Sequence, residues 1–190
     1  MKSSIEINGL TTDQKLRTAK SLRTLYFTRA AFSITWVIIV LLLPKSLTTI
    51  AAALLILYPA WDVVGTFLDI RANRNNTSRL PQYTNIAIST ITTIAVALSV
   101  NKSIGQTLVV FGAWAILTGI IQLILGLKRR KLFGGQWPMI ISGGQSILGG
   151  VSFIMLANAP DAGIKSLAGY VAFGAFYYIL AAYRLNKKVV

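Results

Sequence analysis

The side chains most able to support chemistry in this chain are its acids, because the sequence contains no cysteine and no histidine. Their absence removes thiol nucleophiles, disulfides, imidazole bases and most zinc or iron sites. The acids are Glu6, Asp13, Asp62, Asp69 and Asp161. Asp62 and Asp69 are seven positions apart, so they share one face of a single helix. An intramembrane catalytic pair would need acids from different helices, so we predict no enzyme and no metal or cofactor site.

Asp62 interrupts an apolar run at positions 47–70. An acid within a membrane costs about 2.5–3.5 kcal/mol on insertion scales, so it needs a partner or a proton. Lys45 lies in the turn before this run. Arg29 lies almost as many residues before Lys45 as Asp62 lies after it. Two antiparallel helices with the same rise place these residues at nearly the same depth, which predicts an Arg29–Asp62 pair.

The same count predicts a second pair near the membrane interface. Arg23 and Asp69 are also nearly equidistant from Lys45 along the chain, and are therefore again at similar depth. Further polar residues reach the depth of Asp62 from other segments, and they form a candidate intramembrane polar cluster with Arg29 and Asp62: Asn85, Gln145, Tyr177 and Tyr178.

Three interpretations of this cluster remain open. In the first, Arg29 and Asp62 hold the first helical hairpin together, and the other polar groups bond to nearby backbone. In the second, the cluster is a functional site, such as a proton relay or a path for a small solute. In the third, it pairs subunits of an oligomer.

The elements that position these residues are predicted to be transmembrane helices. The chain of 190 residues is 54% hydrophobic and only 13% charged, against roughly 25% charged in soluble domains. Spanning a bilayer takes about 20 consecutive apolar residues. Six segments have this character: 21–43, 47–70, 80–100, 104–127, 137–157 and 164–184. The predicted fold is an all-α integral membrane protein, with a six-helix domain over 21–190.

The distribution of basic residues predicts the orientation of the spans. The connections at 44–46, 101–103 and 158–163 are short, so consecutive spans form tight hairpins. If the N-terminus is cytoplasmic, only Lys45, Lys102 and Lys165 of the 19 basic residues lie outside, and all the others lie inside. The positive-inside rule therefore predicts that both termini are cytoplasmic. It also explains the net charge of +14 without a nucleic-acid partner.

The predicted partners of the chain are lipids and, as an alternative, a second copy of itself. Residues 1–20 are predicted to be a cytoplasmic segment that can form a basic amphipathic helix, suited to anionic lipid headgroups. Small residues on the fifth span, Ser142, Ser146, Gly149 and Gly150, allow close helix approach. That approach is either within the bundle or in a homo-oligomer interface.

An internal repeat links the three hairpins. YPAW at 58–61 recurs as FGAW at 111–114 and as FGAF at 173–176, each in the second helix of a hairpin. We interpret this recurrence as three copies of one hairpin, inserted in the same orientation. The prediction is of parallel repeats, unlike the inverted repeats of many ion-coupled transporters.

These features resemble the HdeD-like family of short-repeat membrane proteins. The resemblance rests on six short-looped spans, Arg29 in the first span, FGAWAILTGIIQLILGLKRR at 111–130, Trp137, and SGGQSILGGVSFI at 142–154. It implies a bacterial inner-membrane protein linked to acid or envelope stress and without enzymatic activity. The alternative function is a small transporter or channel that uses the Asp62 cluster as a proton or solute site.

Overall fold

All regular secondary structure in the described part of the chain is α-helical. The computed structural model describes residues 12–43, 49–72, 79–133 and 135–187. Six helices and no strand lie in these ranges: α1 (Thr12–Leu42), α2 (Thr49–Ala72), α3 (Leu80–Ser99), α4 (Ile104–Phe133), α5 (Trp137–Met155) and α6 (Ser166–Lys187).

The helices follow the predicted apolar segments but two of them are longer. α1 begins at Thr12, so the part of the N-terminal segment from residue 12 onward continues directly into the first apolar segment. The remainder of that segment, residues 1–11, lies outside the described residues. α4 continues to Phe133, beyond the predicted end at 127, and so carries the basic run at 128–131 as helix.

Five of the six described helices are long and apolar enough to cross a membrane, as in a multi-pass membrane protein. The exception is α3, whose polar residues lower its hydropathy. Those polar residues are buried inside the bundle rather than turned outward: Gln82, Asn85, Ser89, Thr92 and Ser99. Large apolar side chains lie on the outward face of α3, with Ile91 and Leu98 about two-thirds exposed (67% and 65%). A membrane-spanning α3 therefore remains a prediction.

The helices close a ring in chain order. Each helix packs against its neighbours in the sequence, and α6 packs against α1. The ends of the ring differ. We call one end, with the α1–α2, α3–α4 and α5–α6 connections, the hairpin-turn end. The opposite end carries the basic run at 128–131, and we call it the basic end. An apolar core fills the hairpin-turn end, with Trp36, Leu55, Phe111 and Leu167 almost completely buried.

Glycines hold α4 and α5 in close contact. A Cβ atom added at Gly119 would lie 2.8 Å from the carbonyl oxygen of Gly143, and Gly150 meets the carbonyl of Gly112 in the same way. The predicted small-residue stripe thus contributes Gly150 to packing within the chain, while Gly149 faces the ring of Tyr170 on α6. Self-association stays a prediction.

The third copy of the aromatic motif faces a different way from the first two. Tyr58, Phe111 and Trp114 contact one another inside the bundle, with ring centroids 5.0–5.8 Å apart. In contrast, Phe173 and Phe176 are 56% and 55% exposed. The aligned residues at 173–176 and 58–61 therefore do not point their side chains in the same direction. The parallel-repeat arrangement remains a prediction.

Candidate functional site

The carboxylate of Asp62 is bound by three donors from two neighbouring helices. Nη1 of Arg29, on α1, donates to Oδ1 over 2.7 Å. Nδ2 of Asn85 and the hydroxyl of Ser89, both on α3, donate to Oδ2 over 2.6 and 2.8 Å. Trp114 of α4 extends the network, because its Nε1 donates to Ser89 Oγ over 2.9 Å. These hydrogen bonds tie α1, α2, α3 and α4 together.

The guanidinium of Arg29 makes further contacts. It donates to the hydroxyl of Tyr178 over 3.0 Å and more weakly to Thr66 Oγ1 over 3.3 Å. Its Cζ atom also lies 5.6 Å from the centroid of the Tyr178 ring. Gly65 makes this position possible, because a Cβ atom there would lie 2.6–2.7 Å from the guanidinium. The missing side chain of Gly65 thus leaves room beside α2 for the guanidinium of Arg29.

We expect Gly65→Ala to weaken the Arg29–Asp62 pair. The added methyl group requires the guanidinium to move while Asp62 holds it, and such overpacking costs about 1–3 kcal/mol. The measurement is the free energy of unfolding in mixed micelles of dodecylmaltoside and SDS. The matched control is Gly169→Ala on α6, where an added Cβ meets no atom within 4 Å. Equal stability of the two variants would contradict this role of Gly65.

A second ion pair lies nearer the basic end. Nη2 of Arg129 lies 2.5 Å from Oδ2 of Asp69, and both side chains are buried. Gln82 Nε2 adds a long hydrogen bond of 3.4 Å to the same oxygen. The sequence analysis predicted Arg23 as the partner of Asp69. The structure shows an ion pair of Asp69 with Arg129, on α4. The predicted Arg23–Asp69 pair stays a prediction.

Arg129 comes from the basic run that follows the predicted segment 104–127. The run is helical, and each residue turns the side chain by about 100° around the axis. Lys128, Arg130 and Lys131 are consequently exposed, while Arg129 is 6% exposed and points inward. The available signal was the spacing of Thr118, Gln122 and Arg129, which share the inward face of α4.

Tyr26 and Gln136 complete this second site. The hydroxyl of Tyr26 donates to Oε1 of Gln136 over 3.1 Å and accepts a weak hydrogen bond from Nη1 of Arg129 over 3.5 Å. Gln136 is completely buried just before α5. Within the described residues, Nε of Arg129 and Nε2 of Gln136 are buried N–H donors without a partner.

A cavity of about 120 Å³ extends between the two ion pairs. Every helix contributes to its lining, and both ion pairs belong to it. Asp62 and Asp69 are two turns apart on α2, or about 10 Å along the axis. The other polar groups of the wall include amides and hydroxyls: Asn85, Thr118, Gln122, Gln136, Ser142, Gln145 and Ser146. Six aromatic residues enclose these groups: Tyr26, Tyr58, Trp61, Trp114, Tyr170 and Tyr178.

Most residues of the predicted cluster meet at this cavity. Arg29, Asp62 and Asn85 are in direct contact, and Gln145 lines the wall. Tyr177 is the exception, since it does not belong to the lining and its ring packs against Phe176 with centroids 5.4 Å apart. Its neighbour Tyr178 contacts Arg29 instead. A shift of one residue on a helix rotates the side chain by about 100°, which accounts for the difference.

The chemistry that the cavity lining offers is hydrogen bonding. Among the described residues, no group of three or more histidine, cysteine, aspartate or glutamate side chains is placed to hold a metal ion. Both aspartates are engaged by arginine. Among the described residues of the lining, the buried side-chain atoms without a partner are Nε of Arg129, Nε2 of Gln136 and Nε1 of Trp61. Such groups can orient a small polar molecule.

One comparison with known proteins gives a match. Residues 85–155 match the model of a family described as a short repeat of unknown function, DUF308. The matched region runs from Asn85 in α3 to the end of α5, which is less than half of the chain. It is the family to which the HdeD-like resemblance refers. No curated protein and no solved structure matches the chain significantly.

Proposed function

We propose that the chain is a non-enzymatic protein of the bacterial cytoplasmic membrane that binds a small polar solute inside its helical ring. The observation that carries this proposal is the cavity of about 120 Å³ between the two ion pairs. Such a volume holds several water molecules or one small organic molecule. Its lining combines aromatic walls with a few polar groups, as is typical of small-molecule sites.

The ion pairs support a binding site more than a proton relay. A relay residue must take up and release a proton, whereas the Asp62 carboxylate accepts hydrogen bonds from Arg29, Asn85 and Ser89. Both oxygens of the carboxylate are thus engaged in hydrogen bonds within the bundle. We therefore assign both pairs to fixing the helices around the cavity, and we assign the binding of solute to the groups between them.

The packing at the hairpin-turn end favours binding over continuous conduction. Trp36, Leu55, Val96 and Phe111 are at most 1% exposed and form one apolar cluster there. A polar path through the ring would have to cross this cluster. The transporter alternative therefore requires a second conformation, in which these side chains separate.

The proposed membrane setting follows from the basic residues and from the family resemblance. Both termini and the basic end lie in the cytoplasm, in line with the positive-inside rule. Anionic lipids then face the basic side chains of α1 and α4, and a homo-oligomer is the alternative assembly. A link to acid or envelope stress rests on the HdeD-like resemblance alone, because the family matched at residues 85–155 is described as one of unknown function.

Access of water to a thiol placed in the cavity tests the proposed function. The natural chain has no cysteine, so a single introduced cysteine is the only reactive thiol. We expect methyl methanethiosulfonate to modify Gln145→Cys at least about tenfold faster than Leu148→Cys, because only a hydrated thiol ionises to the reactive thiolate. Gln145 lines the cavity, whereas Leu148, on the same helix, is 70% exposed on the apolar outer surface.

The labelling is measured by mass spectrometry on protein in lipid nanodiscs, after circular dichroism has shown that both variants are folded. Equal, slow modification of Gln145→Cys and Leu148→Cys would mean that the cavity is dry. In that case the proposed binding function is wrong, and the polar cluster is structural.

A further inference from the structure

We infer that the cavity selects small, uncharged molecules that carry a hydrogen-bond acceptor, such as a carbonyl group. This inference rests on the proposed function and names the class of solute. Its first basis is the charge of the lining. The cavity is lined by two arginines and two aspartates, and each arginine is bonded to one aspartate over 2.7 or 2.5 Å.

The pairing leaves no formal charge for a ligand to neutralise. An anion would compete with Asp62 or Asp69 for its arginine, and a cation would compete with Arg29 or Arg129 for its aspartate. In either case one buried protein charge would lose its partner, which is strongly unfavourable. A neutral molecule leaves both pairs intact, so the lining favours it over ions of the same shape.

The second basis is the kind of hydrogen-bonding group left without a partner. Nε of Arg129, Nε2 of Gln136 and Nε1 of Trp61 are buried nitrogen atoms without a partner in the described part of the chain. All three belong to residues of the cavity lining, and all three are N–H donors. Buried donors are normally satisfied, so the lining matches a molecule that supplies an acceptor.

The orientation of Gln136 is fixed by its neighbour. Its Oε1 accepts the hydroxyl hydrogen of Tyr26, while the same Tyr26 oxygen accepts the hydrogen bond from Arg129. The Tyr26 hydroxyl therefore needs an acceptor, and the amide oxygen of Gln136 provides it. The amide nitrogen is left as the donor.

The aromatic residues of the lining favour a ligand that also has an apolar side. Trp61, Trp114 and Tyr170 surround the polar groups with apolar surface. Tyr178, whose ring could otherwise attract a cation, already lies against the guanidinium of Arg29. A compact molecule with one apolar side and one acceptor fits this lining.

An isosteric series of three probes tests the charge preference: acetamide, acetate and acetamidinium. They have nearly the same shape and a methyl group each, and at neutral pH they are neutral, anionic and cationic. Transfer of magnetisation from the wild-type protein in nanodiscs to each probe's methyl group is measured by saturation-transfer difference NMR. We expect acetamide to give a signal at least about fivefold stronger than either ion, since desolvating an ion adds a penalty.

Substitutions at two glycines of α6 distinguish binding in the cavity from binding elsewhere on the protein. Gly174 lines the cavity and Gly169 is exposed on the outer surface, and a Cβ at either position meets no atom within 4 Å. Gly174→Val adds a side chain beside the cavity, whereas Gly169→Val adds the same group outside. We expect Gly174→Val to lose the acetamide signal and Gly169→Val to keep it.

Two outcomes would overturn the inference. One is a Gly174-dependent signal for acetate or acetamidinium that equals or exceeds that of acetamide, which would assign the site to an ion. The other is an acetamide signal that Gly174→Val leaves unchanged. If Gln145→Cys is nevertheless hydrated, the cavity remains a polar site and only the solute class is wrong.

Discussion

Asp62→Ala is expected to lower the free energy of unfolding by about 3–5 kcal/mol, because it leaves the guanidinium of Arg29, a side chain only 14% exposed, without its counter-ion. Asn85 and Ser89 lose their acceptor in the same substitution. The measurement is equilibrium unfolding in mixed micelles of dodecylmaltoside and SDS, followed by circular dichroism. Asp161→Ala is the matched control, since Asp161 is exposed in the connection between α5 and α6. Its effect should stay within about 0.5 kcal/mol.

A loss below about 1 kcal/mol for Asp62→Ala, the size of an ordinary substitution, would contradict a structural role for the pair. It would mean that Arg29 finds another partner or reaches water when the acid is removed. Asp62→Asn serves as a second variant of similar shape. Its amide keeps an acceptor for the donors on α3 but not the charge, so a smaller loss than for Asp62→Ala is expected.

Arg129→Leu is expected to cost a similar amount, and the double variant Arg129→Leu/Asp69→Leu should recover most of the loss. The single substitution leaves the carboxylate of Asp69 buried and without Arg129. Among the described contacts, it then keeps the 3.4 Å hydrogen bond that Gln82 donates. Removing one partner of a buried pair typically costs about 3–5 kcal/mol, whereas replacing both by apolar residues is often neutral. The neighbouring Arg130→Leu is the control, because Arg130 is exposed on the same turn.

The two pairs should differ in this recovery. A double variant Arg29→Leu/Asp62→Leu still leaves Asn85 and Ser89 without the carboxylate oxygen they share. Its stability should therefore recover less than that of the Asp69 and Arg129 double variant. Equal recovery at both sites would show that the hydrogen bonds from α3 contribute little. No recovery for Arg129→Leu/Asp69→Leu would contradict direct pairing of those two residues.

Depth along the helices could be predicted from the sequence, but the direction of a side chain around each helix could not. Counting from the α1–α2 turn placed Arg29 level with Asp62, and the 2.7 Å contact agrees with that count. The count compared only the two helices of one hairpin, so it offered Arg23 for Asp69 and could not offer Arg129. Arg129 reaches Asp69 from α4, which depends on how the ring closes.

The class of protein, the number of helices and the depth of the polar residues follow from the amino-acid sequence. The length of an apolar segment and the constant rise of a helix are local properties, so composition and counting are sufficient. Only the packed helices show that Tyr178 rather than Tyr177 meets Arg29, and that one arginine of a basic run turns inward. Each residue rotates a helix by about 100°, so an error of one position moves a side chain from the cavity to the outer surface. The cavity itself exists only because all six helices converge on it.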